Sequence, residues 1–248
     1  MTYFIETGDA RAMPFENDRF RCIVTSPPYW GLRSYTGQED EIGVGSAAQY
    51  LQDMRQCAKE WHRVATDDCT LWLNLGDTAA GSGGAGGDYN SGGAKDGKPR
   101  WKQGEPGRPK MQWMNMPHRV LEEFVAEGWL YRSCVTWEKP GRRPEALNHV
   151  RRPGVSHEFI FMLTKSRKYV WNNDAVKEAG SVWHFATSRG RNHLAPFPIE
   201  LPLRCIALSS EVGDEVLDPF VGSGTTLEAA ESLNRVGVGL DIKDWLNS

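Results

Sequence analysis

The sequence predicts an α/β fold carried on a mostly parallel sheet, and three observations predict it. Short apolar runs such as Phe20–Val24 and Cys69–Leu75 read as buried strands. They alternate with segments whose apolar residues recur every three or four positions, as in amphipathic helices. The sharpest punctuation, Pro27-Pro28 and the glycines Gly222 and Gly224, falls just after such strands, where open α/β sheets place their ligands. The 248 residues suit one large domain, taken as 1–248, with a sizeable insertion.

Taken in order, Tyr3–Thr7 reads as a short strand ending at Gly8-Asp9, and a polar connection over 11–19 leads into the strand at 20–25. Two prolines stop that strand, and a loop with several glycines runs on to residue 45. Residues 46–65 are helical: Ser46 is a suitable N-cap, and Tyr50, Leu51, Met54, Cys57, Ala58, Trp61 and Val64 share one face. A turn at Asp67-Asp68 precedes the Cys69–Leu75 strand. Pro117 opens a second helix with Val120, Leu121, Phe124 and Val125 on one face, and Gly128 ends it. Trp129–Trp137 and His157–Leu163 are strands, and Tyr169–Trp171 is expected to return on the latter as a hairpin. Residues 172–192 are irregular. A helix from Pro198 to Leu208, a strand at Val216–Asp218, a helix from Gly224 to Leu233 and a strand from Arg235 to Asp241 complete the chain, with no internal repeat.

Composition is that of an ordinary soluble globular protein, 40% hydrophobic and 25% charged. Some of the ten tryptophans are expected at the surface as binding groups. The five cysteines are scattered and include no CxxC pair, so neither a disulfide framework nor a metal site is expected, and the setting is a reducing cytoplasm. No signal peptide or membrane span is expected. Net charge is −3, but residues 95–152 hold 13 Lys/Arg against 7 Asp/Glu, so the remainder carries −9. That polarity suits an anionic partner on one face. The Gly76–Met111 insertion is the most unusual stretch, with ten glycines over 81–107 interleaved with Lys95, Lys98, Arg100, Trp101 and Lys102, and with Arg108 and Lys110 just beyond. It is too poor in aliphatic residues to form a core, so it is either a surface insertion or a loop that grips a nucleic-acid backbone.

Two constellations carry chemistry. Thr25-Ser26-Pro27-Pro28-Tyr29-Trp30 places a hydroxyl, a carbonyl freed from the ladder and a flat aromatic together at a strand end. A stiff turn with a core aromatic would look the same. The second, Asp218-Pro219-Phe220-Val221-Gly222-Ser223-Gly224-Thr225-Thr226, lies between a strand and a helix, and the next strand ends in Asp241. Glycines there let a ligand approach the backbone, and a terminal carboxylate can hold ribose hydroxyls. A Walker loop is excluded because its lysine is absent, and Leu227 stands where a nicotinamide fingerprint needs its third glycine. S-adenosylmethionine, with a cationic sulfonium and no pyrophosphate, fits better beside Asp218.

Together these stretches resemble the motifs of the exocyclic-amino DNA methyltransferases, which use S-adenosylmethionine to methylate N4 of cytosine or N6 of adenine. In that family the catalytic motif reads (Asp/Asn/Ser)-Pro-Pro-(Tyr/Phe/Trp), and the cofactor motif often reads Asp-Pro-Phe-x-Gly-Ser-Gly-Thr. Asn192-His193-Leu194-Ala195-Pro196-Phe197-Pro198 is similar to the family's motif before the cofactor strand. The catalytic motif comes first, as in the family's beta-type order. The resemblance implies a Rossmann-like S-adenosylmethionine-dependent methyltransferase fold, circularly permuted, with a mostly parallel seven-stranded sheet and an antiparallel hairpin. It implies that Ser26, Pro27, Pro28 and Tyr29 are catalytic. It also implies that Asp9, Thr25, His193, Ala195, Phe197, Pro198, Asp218, Pro219, Phe220, Gly222, Ser223, Gly224, Thr225 and Asp241 bind the cofactor, Asp9 through the adenine amino group. The family's recognition region shrinks here to 172–192. Trp30, Lys98, Arg100, Trp101, Lys102, Arg108, Lys110, Arg142, Arg143, Arg151 and Arg152 are therefore the expected contacts to double-stranded DNA.

The chemistry explains the residue types. An exocyclic amine is a poor nucleophile because its lone pair is delocalised into the ring. Acceptors beside its N–H groups, here Ser26 Oγ and the Pro27 carbonyl, favour the tetrahedral nitrogen that attacks. Tyr29 would stack on a base that has left the duplex. Positioning supplies much of the rate, since the sulfonium is already an activated donor. Carbon methylation would need a cysteine nucleophile, and no cysteine is suitably placed. Ser26 favours cytosine N4. Adenine N6 is the alternative, and an RNA methyltransferase or a non-catalytic DNA-binding module are more distant ones. A homodimer and a cognate restriction endonuclease are expected partners.

Overall fold

The computed structural model describes residues 3–31, 40–80, 105, 107–139, 152–175, 180–186 and 197–243. The strands are β1 (Tyr3–Thr7), β2 (Phe20–Thr25), β3 (Ala65–Leu75), β4 (Leu130–Glu138), β5 (His157–Thr164), β6 (Val182–His184), β7 (Glu215–Asp218) and β8 (Val236–Asp241). The helices are α1 (Ala47–Val64), α2 (Met116–Ala126), α3 (Glu200–Ser209) and α4 (Thr225–Ser232). All these strands join one sheet in the order β1-β8-β7-β2-β3-β5-β4-β6. Pairing is parallel except around β5, which runs antiparallel to both β3 and β4.

The two-residue period of the central strands explains why both faces are covered. Leu71, Leu73 and Leu75 of β3, with Phe161 and Leu163 of β5, join the core beneath α1 and α2. The alternate residues Trp72, Ile160 and Met162, with Cys22 and Val24 of β2, join the opposite core beneath α3 and α4. The predicted apolar face of α1 is the buried one, and Ser46 Oγ accepts from the Gln49 N–H at 3.1 Å as its cap. The cap of α2 comes from far away in the chain. Asp77, just after β3, accepts from the backbone N–H groups of Met116 at 2.9 Å and Asn115 at 3.1 Å. The chain leaving β3 is thereby fastened to the start of α2.

Four expectations are corrected. The sheet has eight strands rather than seven, because Val182–His184, inside the stretch read as irregular, adds a short edge strand parallel to β4. The hairpin partner of β5 is β4, not Tyr169–Trp171, which is not a strand. Asp67 and Asp68 lie within β3, where the register jumps between Phe20↔Ala65 and Cys22↔Thr70, so the expected turn is a bulge. Trp30, Trp61, Trp72, Trp129, Trp137 and Trp183 are each at most 2% exposed, so these indoles are core rather than binding groups.

β1 and β8 are parallel neighbours, with Thr7 opposite Asp241, and the Gly8 N–H donates to the Asp241 carbonyl at 2.9 Å. Strands from opposite ends of the sequence therefore lie side by side, as a circular permutation requires. The C-terminal ends of β1, β8, β7, β2, β3 and β4 and the N-terminal end of antiparallel β5 all fall on one edge of the sheet. That edge holds the site.

Candidate functional site

The two predicted motifs form one unit. Thr25, the last residue of β2, donates from Oγ1 to Asp218 Oδ1 at 2.7 Å, across 193 residues of sequence. Thr226, in the first turn of α4, donates to Asp218 Oδ2 at 2.6 Å, and the Phe220 N–H donates to Oδ1 at 3.1 Å. Asp218 is 2% exposed and both its oxygens are engaged. Burial pushes its carboxyl up to about 6, against the lowering effect of the bonds from Thr226, Thr25 and Phe220. These partners are all neutral. Asp218 thus serves as a brace joining the end of β2, the end of β7 and the start of α4, and Thr25 is a partner in that brace.

Beyond Asp218, Gly222 and Gly224 take positive φ of 47° and 83°, which a residue with a Cβ rarely adopts. The Gly222 N–H donates to Asp241 Oδ2 at 3.0 Å, so the loop lies directly against the end of β8. The glycines of β8 allow this approach: a Cβ on Gly239 would stand 2.8 Å from Val221, and one on Gly237 would stand 3.0 Å from Leu227. Pro219 is buried, Phe220 packs edge-on to Trp61 at 6.0 Å, Ser223 is exposed, and Thr225 opens α4. Phe197 packs against the α3-side core and Pro198 is buried beside it. A glycine cradle beside a half-buried terminal carboxylate and an aromatic suits the ribose, adenine and amino-acid tail of S-adenosylmethionine. Gly222, Gly224, Phe220 and Asp241 are the residues placed to hold it.

Asp9 lies at the same edge, but its carboxylate is gripped by Arg11, whose Nη2 donates at 2.7 Å and whose backbone N–H donates at 2.8 Å. Burial alone would raise the Asp9 pKa. The bonds from Arg11 outweigh it and hold the group below the usual carboxylate range. Arg11 is fixed in turn by buried Asp53 at 3.0 Å.

At the catalytic motif, Ser26 Oγ donates to the Tyr29 hydroxyl at 3.3 Å, and Tyr29 donates to Glu158 Oε2 at 2.9 Å. The Asn74 amide lies 3.1 Å from the Tyr29 hydroxyl, 3.2 Å from Glu158 Oε2 and 3.5 Å from Ser26 Oγ. Lys139 pairs with the other Glu158 oxygen. Burial, then the charge of Glu158, holds the Tyr29 phenol well above its usual value of 10.0, so it is a neutral donor. Gly76 lies against the ring: a Cβ there would stand 2.8 Å from Tyr29 Cε2. The sequence reading missed Asn74, Gly76, Lys139 and Glu158. The available signal was a polar residue closing an apolar strand, at Asn74 in β3, and another opening one, at Glu158 in β5.

Trp30 does not join this surface. It is 2% exposed and its indole N–H donates to the Gly45 carbonyl at 3.0 Å, so its expected DNA contact is replaced by a core role. Arg108 is paired with Glu105 at 2.9 Å, Lys110 is exposed, and the Arg152 guanidinium lies 4.5 Å from the centre of the Trp113 ring. Lys98, Arg100, Trp101, Lys102, Arg142, Arg143, Arg151, His193 and Ala195 lie outside the described residues. The cysteines are no nucleophiles. Burial pushes Cys22 up to about 12 and raises Cys57, Cys69 and Cys205 well above the usual thiol value. Among the described residues no cluster could hold a metal ion and no helix is long and apolar enough to cross a membrane.

Comparison with known proteins agrees with this geometry. A family model described as DNA methylase (N6_N4_Mtase) matches residues 20–245. The Type II methyltransferase M.XycI of Xanthomonas campestris pv. cyanopsidis is 41% identical over 236 residues, covering 90% of this chain and 77% of that protein. Among solved structures, the cytosine-N4-specific PvuII DNA methyltransferase superposes with a TM-score of 0.73 at 18% identity, over 98% of this chain and 83% of that one. A DNA modification methylase of Thermus thermophilus complexed with S-adenosyl-L-methionine superposes with a TM-score of 0.66 at 22% identity, over 98% of this chain and 90% of that one.

Proposed function

The chain belongs to the N6/N4 DNA methylase family, and from that premise we propose that this S-adenosylmethionine-dependent enzyme methylates N4 of cytosine at a specific site in double-stranded DNA. The observation that carries the reading is the bond from Thr25 to Asp218, which fixes Ser26, the next residue, to the glycine cradle. S-adenosylmethionine supplies an activated methyl group. The chain's task is to hold the target amine in line with it.

Ser26 Oγ and the Pro27 carbonyl accept from the amine's N–H groups and favour its pyramidal form, while Tyr29 forms the wall against which the extruded base lies. A serine rather than an aspartate at position 26 supports cytosine over adenine. Contacts to DNA fall to the basic residues of the 76–111 insertion and to Arg142, Arg143, Arg151 and Arg152, with 172–192 as a short recognition segment. A homodimer and a cognate restriction endonuclease complete the proposal.

The test is transfer of a labelled methyl group from S-adenosylmethionine to duplex DNA, with single-stranded RNA as competitor. Incorporation into DNA that RNA does not displace, and that Ser26→Ala abolishes, is the expected result. DNA binding with no incorporation would leave a non-catalytic module, and preferential labelling of RNA would reassign the substrate.

A further inference from the structure

Glu158 lies at the N-terminal end of β5, outside every motif quoted above, yet it is where the catalytic edge converges. Its two oxygens receive the Tyr29 hydroxyl, the Asn74 amide and the Lys139 ammonium. Its side chain is 12% exposed and that of Lys139 is 11% exposed. A carboxylate drawn in this far is costly unless it is paired and its lone pairs are filled, and here both conditions are met. The ammonium also lies 4.2 Å from the centre of the Trp137 ring, which holds it in place.

The arrangement acts on two side chains of the pocket at once. The Tyr29 ring is held from one side by contact with Gly76 and at its tip by the bond to Glu158. The Asn74 amide is oriented because its NH2 faces the Glu158 carboxylate, the Tyr29 hydroxyl and Ser26. With that orientation set, the buried Asn74 Oδ1 is left without a hydrogen-bond partner among the described residues. The family motif accepts Phe where Tyr29 stands. The hydroxyl contact is thus a feature of this chain rather than a requirement of the chemistry.

Resting on the reading of Ser26–Tyr29 as the target-base pocket, we infer that Glu158, neutralised by Lys139, is a positioning residue that sets the Tyr29 ring and the Asn74 amide beside Ser26 before the base arrives. It acts through those two side chains and not on the base. A pocket built in advance removes the ordering cost from the transfer step, so its loss lowers the rate of transfer rather than cofactor affinity.

The experiment is single-turnover methyl transfer to duplex DNA by the full chain, with S-adenosylmethionine affinity and thermal unfolding measured beside it. Glu158→Gln keeps the shape but loses the charge and one acceptor. We expect its transfer rate to fall about 10- to 100-fold with cofactor affinity unchanged. Placed in a Tyr29→Phe, Asn74→Ala background, the same substitution should cost less than about threefold more, because the groups it acts through are gone. A wild-type rate for Glu158→Gln, or a full multiplicative loss in that background, would overturn the inference. Should Glu158→Gln not fold, Glu158→Asp keeps the charge near Lys139 but falls a methylene short of Tyr29 and Asn74. It should show the same loss, and a wild-type rate would overturn the inference equally. No transfer by the wild-type chain would instead sink the methyltransferase reading on which the inference rests.

Discussion

Asp218 and Glu158 are both carboxylates drawn in at the same edge of one sheet, and they are held in opposite ways. Asp218 is met by neutral donors, two hydroxyls and one peptide N–H. Glu158 is met by an ammonium as well as by Tyr29 and Asn74. The first is a joint, bringing the ends of β2 and β7 and the start of α4 to one point. The second is a lever on two side chains that face the reaction. The contrast teaches that removing a joint should damage folding and cofactor binding, while removing a lever should damage turnover alone.

The largest effect is expected at the joint. Asp218→Ala leaves the Thr25 and Thr226 hydroxyls and the Phe220 N–H without their acceptor, which should cost on the order of 3 kcal/mol of stability and most of the cofactor affinity. Denaturant unfolding and a cofactor titration check both. Survival of either at the wild-type level would break the contrast.

The pH dependence of that joint comes next. The folded-state pKa of Asp218 is raised from 3.8 to about 6. Between those values the folded chain binds more protons than the unfolded chain. The stabilising contribution is therefore complete below pH 3.8 and is lost as pH rises through 6, by up to about 3 kcal/mol. Comparing wild type with Asp218→Asn across this window isolates it: the wild type should lose ground to the variant as pH rises. Parallel curves would show that Asp218 is ionised in the fold at the ordinary value.

A milder test perturbs the lever from its other side. Gly76→Ala sets a methyl 2.8 Å from Tyr29 Cε2, so the ring must move. Transfer should slow about tenfold or more while cofactor affinity holds. The smallest expected change is at Asp77, which caps α2 away from both carboxylates. Asp77→Ala should lower stability by about 1 kcal/mol, read as a shift in the unfolding midpoint.

How much of this was legible depended on whether the signal was local. Strand ends and helix faces were readable because burial on both faces of β2 and β3 leaves continuous apolar runs, and because the α1 face repeats at helical spacing. Ser26 and the Asp218–Thr226 loop were readable because prolines and glycines mark backbone geometry directly. The bond from Thr25 to Asp218 was not readable, since the pairing depends on β2 and β7 being neighbours in the sheet. Glu158 and Lys139 were hidden for the same reason. Each is an ordinary charged residue at a strand end until β5 and β4 bring it to Tyr29. Trp30 misled because it adjoins a reactive motif, while the indole turns inward to Gly45. The three residues of β6 were too few to leave a pattern.

The central claim is that this edge of the sheet presents a pocket for an exocyclic amine, with Ser26 directing it to cytosine. Duplex DNA treated with the purified chain and isotope-labelled S-adenosylmethionine, digested to nucleosides and resolved by mass spectrometry, tests this most directly. The account predicts labelled N4-methylcytosine. Labelled N6-methyladenine in its place would contradict the assignment of the base, and label on cytosine carbon would contradict the chemistry of the site itself.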